Sequence, residues 1–256
     1  MTAKTSDSAN CRSWLTPEAL VFSAVSTAST IALLRFYKTY LRRIPSTDHL
    51  KPDTFRHRSL FGYVTRVGDG DNFHFFHTPG GRWLGWGWLP NRKVGKMKKL
   101  RGQTLHVRIA GVDAPEMAHF GRPAQPYGQD ALDWLQATLL HRYVRIRPYR
   151  RDQYERIVCG VTFWRWGFLR RDLGLAMIRN GLATVYEAKF GSEFGSKEIE
   201  YRKAESRARE RKVGMWHKPG LVRKILGEKG RELESPREYK TRMAKLDKEN
   251  AKAGAR

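Results

Sequence analysis

The sequence predicts an α+β domain, a small antiparallel barrel of strands with helices, set behind one apolar N-terminal helix. Three observations carry this. Short β-branched and aromatic runs and helical patterns follow one another in the order strands, helix, strands, helices. No internal repeat of solenoid period interrupts them. An uncharged run of sixteen residues, 19–34, precedes them, and a proline-containing segment separates the two.

The elements follow in order. Residues 1–13 are an N-terminal segment too poor in basic residues for a transit peptide. Residues 14–34 read as a transmembrane anchor. The uncharged run is shorter than the roughly 20 residues a spanning helix needs, and five of its sixteen residues are Ser or Thr. Glu18 and Arg35 bound it and can snorkel. Trp14, Tyr37 and Tyr40 flank it as interfacial aromatics do, and Arg35, Lys38, Arg42 and Arg43 form a basic cluster at its end. Residues 35–54 read as a basic, proline-containing linker. A folded domain is expected over 55–217, and a charged basic tail, by default solvated and partly helical or disordered, over 218–256.

Within the domain, LFGYVTRV (60–67) and NFHFF (72–76) read as strands joined by the turn GDGD (68–71). Residues 78–100 are an excursion holding Trp83, Trp86 and Trp88 with Lys93, Lys96, Lys98 and Lys99. It reads either as a base-stacking flap or as a hydrophobic plug on the barrel or on a membrane surface. The close spacing of its tryptophans favours the plug. QTLHVRIAGV (103–112) is a third strand. Leu132, Leu135 and Leu139 share one face of a helix over 129–140. YVRIRPY and RIVCGVTF are two more strands, DLGLAMIRNGL is a helix with a glycine stop, and 196–212 is a long charged helix ending in GMW.

The chain carries 49 Lys and Arg against 25 Asp and Glu, a formal charge of +24. The excess is +3 over 1–54, +15 over 55–216 and +6 over 217–256, so the folded middle is itself basic. Solubility needs a net charge of only about 2–8. The balance points to a polyanionic partner, nucleic acid or an anionic membrane. Two distant cysteines, Cys11 and Cys159, exclude a disulfide framework and a cysteine zinc site.

Against this basic background the acids of GDGD and RIAGVDAPE stand out. A DGD alone is usually a tight turn, and VDAPE alone usually ends a strand. Together they let Asp71 and Asp113 converge on one hard cation, which takes oxygen ligands including backbone carbonyls. Pro115 donates no hydrogen bond and biases Ala114 to extended backbone, which frees the Ala114 carbonyl for the same shell. So few protein ligands bind a cation weakly, leaving its shell to water and a substrate phosphate. Arg108 and Arg156 then have a role, because guanidinium forks stabilise charge building on phosphoryl oxygens. Glu116, just beyond the cation ligand, is placed to activate water.

VGDGDNF, RIAGVDAPE and RRDQYER resemble the staphylococcal-nuclease-like (thermonuclease) family, with its DGD turn, Arg-x4-Asp-x-Pro-Glu strand end and second arginine about forty residues on. DLGLAMIRNGLATVY and ESRARERKVGMW resemble its later helices, so the likeness spans 55–217. The resemblance implies a five-stranded OB-type barrel with about three helices. It also implies Ca2+-dependent cleavage of DNA and RNA. Carried over, the catalytic set is Arg108, Glu116 and Arg156, and the calcium set is Asp71, Asp113 and the Ala114 carbonyl. With the apolar helix, the chain further resembles a group of fungal, mitochondrial, membrane-anchored probable endonucleases. The expected partners are single-stranded DNA or RNA and, through the helix, a membrane; no protein partner is expected. Four features depart from the family: Glu155 where a Gly is usual before the second arginine, Ala114 and Asn72 for threonines, and the 78–100 insertion. Glu155 is placed either to pair with Arg156 or to face solvent. The competing readings are a catalytically inactive OB-type nucleic-acid-binding module tethered to a membrane, and a structural membrane tether. A dead module has no reason to keep all of Asp71, Arg108, Asp113, Glu116 and Arg156.

Overall fold

The computed structural model describes residues 16–118, 122–187, 192–217 and 235–253. The chain divides into two compact units, Met1–Arg42 and Arg43–Arg256. Trp14 and Cys11 lie outside the described residues.

Helix α1, Pro17–Phe36, occupies the first unit. Thr16 caps it, its hydroxyl accepting the Ala19 N–H at 3.2 Å, and Pro17 opens it where no N–H is missed. A π-helical turn, Tyr37–Leu41, extends it. Two hydroxyls of α1 are satisfied within the helix: Thr27 and Thr30 donate to the Ser23 and Ser26 carbonyls at 2.8 Å. No side chain of α1 is buried. Residues 17–41 form one helix long and apolar enough to cross a membrane, by length and composition.

The second unit is built on β1 (Leu60–Asp69), β2 (Asn72–His77), β3 (Leu105–Ile109), β5 (Tyr143–Arg151) and β6 (Ile157–Arg165), in spatial order β3-β2-β1-β5-β6. A β3–β6 pairing closes the ring, giving the expected five-stranded barrel. The closing pair is parallel and the other four are antiparallel. β7 (Leu169–Asp172) extends beyond β6. A two-residue ladder, β4 (Val112–Asp113) with β8 (Thr184–Val185), lies outside the ring.

Alternation fills the interior. Phe73 and Phe75, Leu105, Val107 and Ile109, Val144 and Ile146, and Ile157 and Cys159 are all buried and form one cluster. Helix α2 (Gly128–Leu139) adds Ala131, Leu135 and Leu139 to it, while Leu132 is half-buried at its edge. Helices α3 (Leu173–Arg179) and α4 (Glu198–Glu210) pack on each other. Gly181 locks the end of α3 to the GMW turn. It has φ 62°, and a Cβ there would sit 2.1 Å from the Val213 carbonyl oxygen. Its own carbonyl accepts the Met215 N–H at 2.9 Å.

Phe76 breaks the alternation of β2. It is buried outside the ring in a second cluster with Trp86 and Val94. Trp86 packs edge-on to Phe76 at 5.8 Å and donates from Nε1 to the Pro79 carbonyl at 3.0 Å. Trp86 thus plugs the barrel wall, while Trp83, 96 % exposed, and Trp88 point outward.

Residues 43–54, a linker by sequence, pack on the barrel. Leu50 and Thr54 are buried, Arg43 lies 3.8 Å over the Phe76 ring, and the Ile44 N–H donates to His77 Nδ1 at 3.0 Å. The C-terminal region is partly helical, as its sequence allows, and part of that helix docks. Pro236–Ala253 is a helix, α5, whose Tyr239 and Met243 are buried against the domain. Ser235 and Glu238 form a capping box at its start, each side chain accepting the other's N–H, at 2.8 and 3.3 Å.

Candidate active site

The GDGD turn between β1 and β2 and the end of β3 are neighbours, because Asn72 pairs with Arg108 across the ladder. The Ile109 N–H donates to the Asp71 carbonyl at 2.9 Å, which fixes the turn against the strand. Gly70 is needed there, since a Cβ would lie 2.9 Å from that of Ala114. Past Ile109 the chain enters β4, and its pairing with β8 holds Asp113 opposite Thr184.

This geometry brings three of the sequence-predicted residues together. Arg108 Nη2 lies 3.1 Å from Asp71 Oδ2 and 3.7 Å from Asp113 Oδ1. Burial lowers the Arg108 guanidinium's hold on its proton, but Asp71 and Asp113 outweigh it, so its pKa is raised. The Arg108 guanidinium also lies 5.2 Å over the Tyr186 ring. Burial pushes the Asp113 carboxyl above its ordinary value, Lys240 opposes this, and Asp71 adds to it. Ala114 is buried, and its carbonyl accepts no hydrogen bond among the described residues.

Glu116 follows on the loop. Its N–H donates to Gln125 Oε1 at 3.0 Å and its carbonyl accepts the Gln125 N–H at 2.8 Å, so the buried Gln125 clamps this backbone. Sequence reasoning gave Gln125 no role. Glu116 is joined to Asp113 through Lys240 of α5, whose Nζ lies 2.7 Å from Asp113 Oδ1 and 3.0 Å from Glu116 Oε1.

Arg156 stands one residue before β6, whose Val158 pairs with Arg108. It is not in contact with the acids. His106 lies between, its imidazole pushed down to about 4 by burial, His74 and Arg156, with Asp152 and Asp71 opposing. Asp152, also missed by sequence reasoning, organises the loop. Its Oδ1 accepts the Tyr154 and Arg156 N–H groups at 2.8 and 2.9 Å, and its Oδ2 accepts Arg156 Nε at 2.6 Å. The Nη fork of Arg156 is left for another ligand. Glu155 is exposed and its nearest ion-pair partner is Arg151 at 3.5 Å, not Arg156. Its φ of 59° explains why glycine suits that position.

The donor set suits a hard cation in kind: two carboxylates, a free carbonyl and no sulfur. Among the described residues no cluster of three or more His, Cys, Asp or Glu residues forms a ready-made metal site. Any cation bound here depends on water or substrate to complete its shell.

A closed five-strand barrel with Asp71, Asp113 and Arg108 converging where β3 ends defines a nuclease-type OB-fold domain. The chain belongs to the staphylococcal nuclease homologue family. That family matches residues 106–218. Three curated proteins, each named "Probable endonuclease LCL3", match nearly end to end. The one from Leptosphaeria maculans is 48% identical over 98% of this chain and 93% of its own. Those from Pyrenophora tritici-repentis and Pyricularia oryzae are 55% and 54% identical over 91% and 89% of this chain, and 86% and 84% of theirs.

Proposed function

We propose that the protein is a membrane-anchored, calcium-dependent endonuclease that hydrolyses phosphodiester bonds of DNA or RNA. One observation carries the reading: Asp71, Asp113 and Arg108 converge within ion-pair distance at the end of β3, with Glu116 on the following loop. The family and the names of the relatives support the same chemistry. Asp71, Asp113 and the Ala114 carbonyl would hold the calcium ion, which supplies positive charge at the scissile phosphate. Glu116 takes a proton from water, the water oxygen forms a bond to phosphorus, and the ester P–O bond breaks with its electron pair leaving on the sugar oxygen, which takes a proton from solvent. Arg108 and the Nη fork of Arg156 bind the non-bridging oxygens as their charge grows. Helix α1 supports the anchor, and a mitochondrial membrane is the one the resemblance implies.

The test uses the full chain in detergent with a single-stranded DNA substrate. Cleavage is expected with calcium and is expected to stop when a chelator removes it, then return on re-addition. DNA binding without cleavage at any calcium level would leave the inactive OB-type module as the function.

A further inference from the structure

A groove of about 880 Å³ lies between the β6–β7 hairpin and helices α2 and α3. Arg142, Arg165, Arg170, Arg171 and Arg179 line it. Among the described residues none of the five pairs with a carboxylate. Asp172 lies in the same groove, but its oxygens already accept the Leu175 N–H, the Tyr201 hydroxyl and the Lys197 ammonium. Aromatic rings interleave with these cations. The Arg165 guanidinium lies 4.7 Å over Trp166, and that of Arg170 lies 6.0 Å from Trp164. Trp166 and the neighbouring Phe168 are 71 % and 77 % exposed. Like charges are crowded as well: burial and then Arg170 lower the pKa of Arg145.

Unpaired guanidinium forks beside open aromatic faces suit a ligand that repeats phosphate and planar base. An anionic lipid surface shares the phosphate, but a concave groove favours a threaded chain over a flat surface. We propose that this groove binds single-stranded nucleic acid, as a second contact on the strand that is cut at Arg108 and Arg156. Strand β6 links the two places. It runs from Ile157, next to Arg156, to Arg165, which at ~3.3 Å per residue is a reach of roughly 25–30 Å.

The test is the full chain with Arg165→Ser, Trp166→Ser and Arg170→Ser together, leaving Trp164 against Phe61. Binding is read by fluorescence anisotropy in chelator, with an oligothymidylate of about 16 nucleotides, the upper site size of an OB fold. Affinity is expected to fall about tenfold and its salt dependence to become shallower, as lost phosphate contacts require. Cleavage of a substrate of about four nucleotides is expected to be unchanged, which separates this proposal from the catalytic one. Unchanged affinity overturns it, as does an equal loss on both lengths. Unchanged oligonucleotide affinity with lost binding to phosphatidylserine vesicles assigns the groove to lipid instead.

A different observation concerns α5. Lys240 places an ammonium between Asp113 and Glu116, where it neutralises one carboxylate a divalent cation would need and holds the carboxylate that would activate water. The helix is held around that contact. The Tyr239 hydroxyl donates to the Pro123 carbonyl, Arg237 pairs with Glu187 at 2.8 Å, and Arg122 pairs with Asp247. These flanking ion pairs are about half exposed or more, and such pairs hold little. We infer that α5 is a strap that closes the site through Lys240 and leaves when cation and substrate enter, an inference that rests on the proposed calcium chemistry. Calorimetry on the full chain should show calcium binding about tenfold tighter in Lys240→Ala than in the wild type. Amide exchange of α5 should quicken when calcium is added to the wild type. Equal or weaker calcium binding by Lys240→Ala overturns the strap and makes Lys240 part of the site or neutral to it. If neither protein binds calcium, the cation reading fails; the strap then falls too unless oligonucleotide alone quickens exchange in α5.

Discussion

Replacing Glu116 by Gln is expected to lower the cleavage rate by about 10²–10⁴-fold, the range a positioned general base supplies. The substitution keeps size and the clamp on the backbone, because Gln125 bonds the Glu116 main chain and not its carboxylate. It also keeps an oxygen for Lys240. The loss therefore reports the missing base and not a displaced loop. Arg108→Ala is expected to cost at least about 10²–10³-fold, as removal of one electrophilic donor does. It acts twice, because Asp71 and Asp113 lose the guanidinium that lies between them and then repel. Arg108→Lys should recover little, since an ammonium cannot serve two carboxylates and a phosphate with one fork. Single-turnover cleavage in calcium, beside circular dichroism and a thermal melt, checks both variants. A Glu116→Gln protein that cuts at the wild-type rate would remove the general-base role and leave the arginines and the cation to do the chemistry.

Much of the site was legible because its parts sit at the ends of strong local patterns. GDGD must turn, and RIAGV must be a strand, so Asp71 and Asp113 fall where a turn and a strand end meet. What joins them to the rest was not legible for physical reasons. The β4–β8 ladder is two residues on each side, too short for any alternation to show. Asp152 acts through an Asx-type turn whose meaning depends on where Arg156 points. The C-terminal helix hides in charge: a few of its apolar residues form a stripe, Pro236, Tyr239 and Met243, at helical spacing, with the capping-box residues Ser235 and Glu238 at its first turn. Those two signals together could have marked a docked helix. Lys240, next to Tyr239, then follows from geometry alone. The insertion shows the opposite limit. Composition could not say which tryptophan packs: Trp86 is buried as a plug, while Trp83 and Trp88 lie exposed.

His77 is expected to make the domain lose stability in acid. Its ring is only 3 % exposed, and Nδ1 accepts the Ile44 N–H that binds the start of the compact unit to the barrel. Protonation would add a charge that cannot be hydrated and would put a donor where an acceptor is needed. Burial, with the nearby charges of Arg58 and then Arg43, pushes its pKa down from 6.5 to about 3. The sign follows directly. In the unfolded chain the ring gains its proton as pH falls through about 6.5, while in the folded chain it stays neutral until about 3. Between those values the unfolded state binds more protons, so stability is full above the upper value and is lost as pH falls towards the lower one. The whole window is worth about 4–5 kcal/mol, with about 3 kcal/mol gone by about pH 4.5. Denaturant unfolding of the wild type and of His77→Asn across this range isolates the effect, since every other group titrates alike in both. Asn keeps an acceptor for Ile44 but no titrating ring, so its stability should fall less steeply and the two curves should converge below neutrality. Parallel curves would mean that the ring is hydrated in the folded state, and that the segment from Arg43 to Leu50 opens before the barrel does.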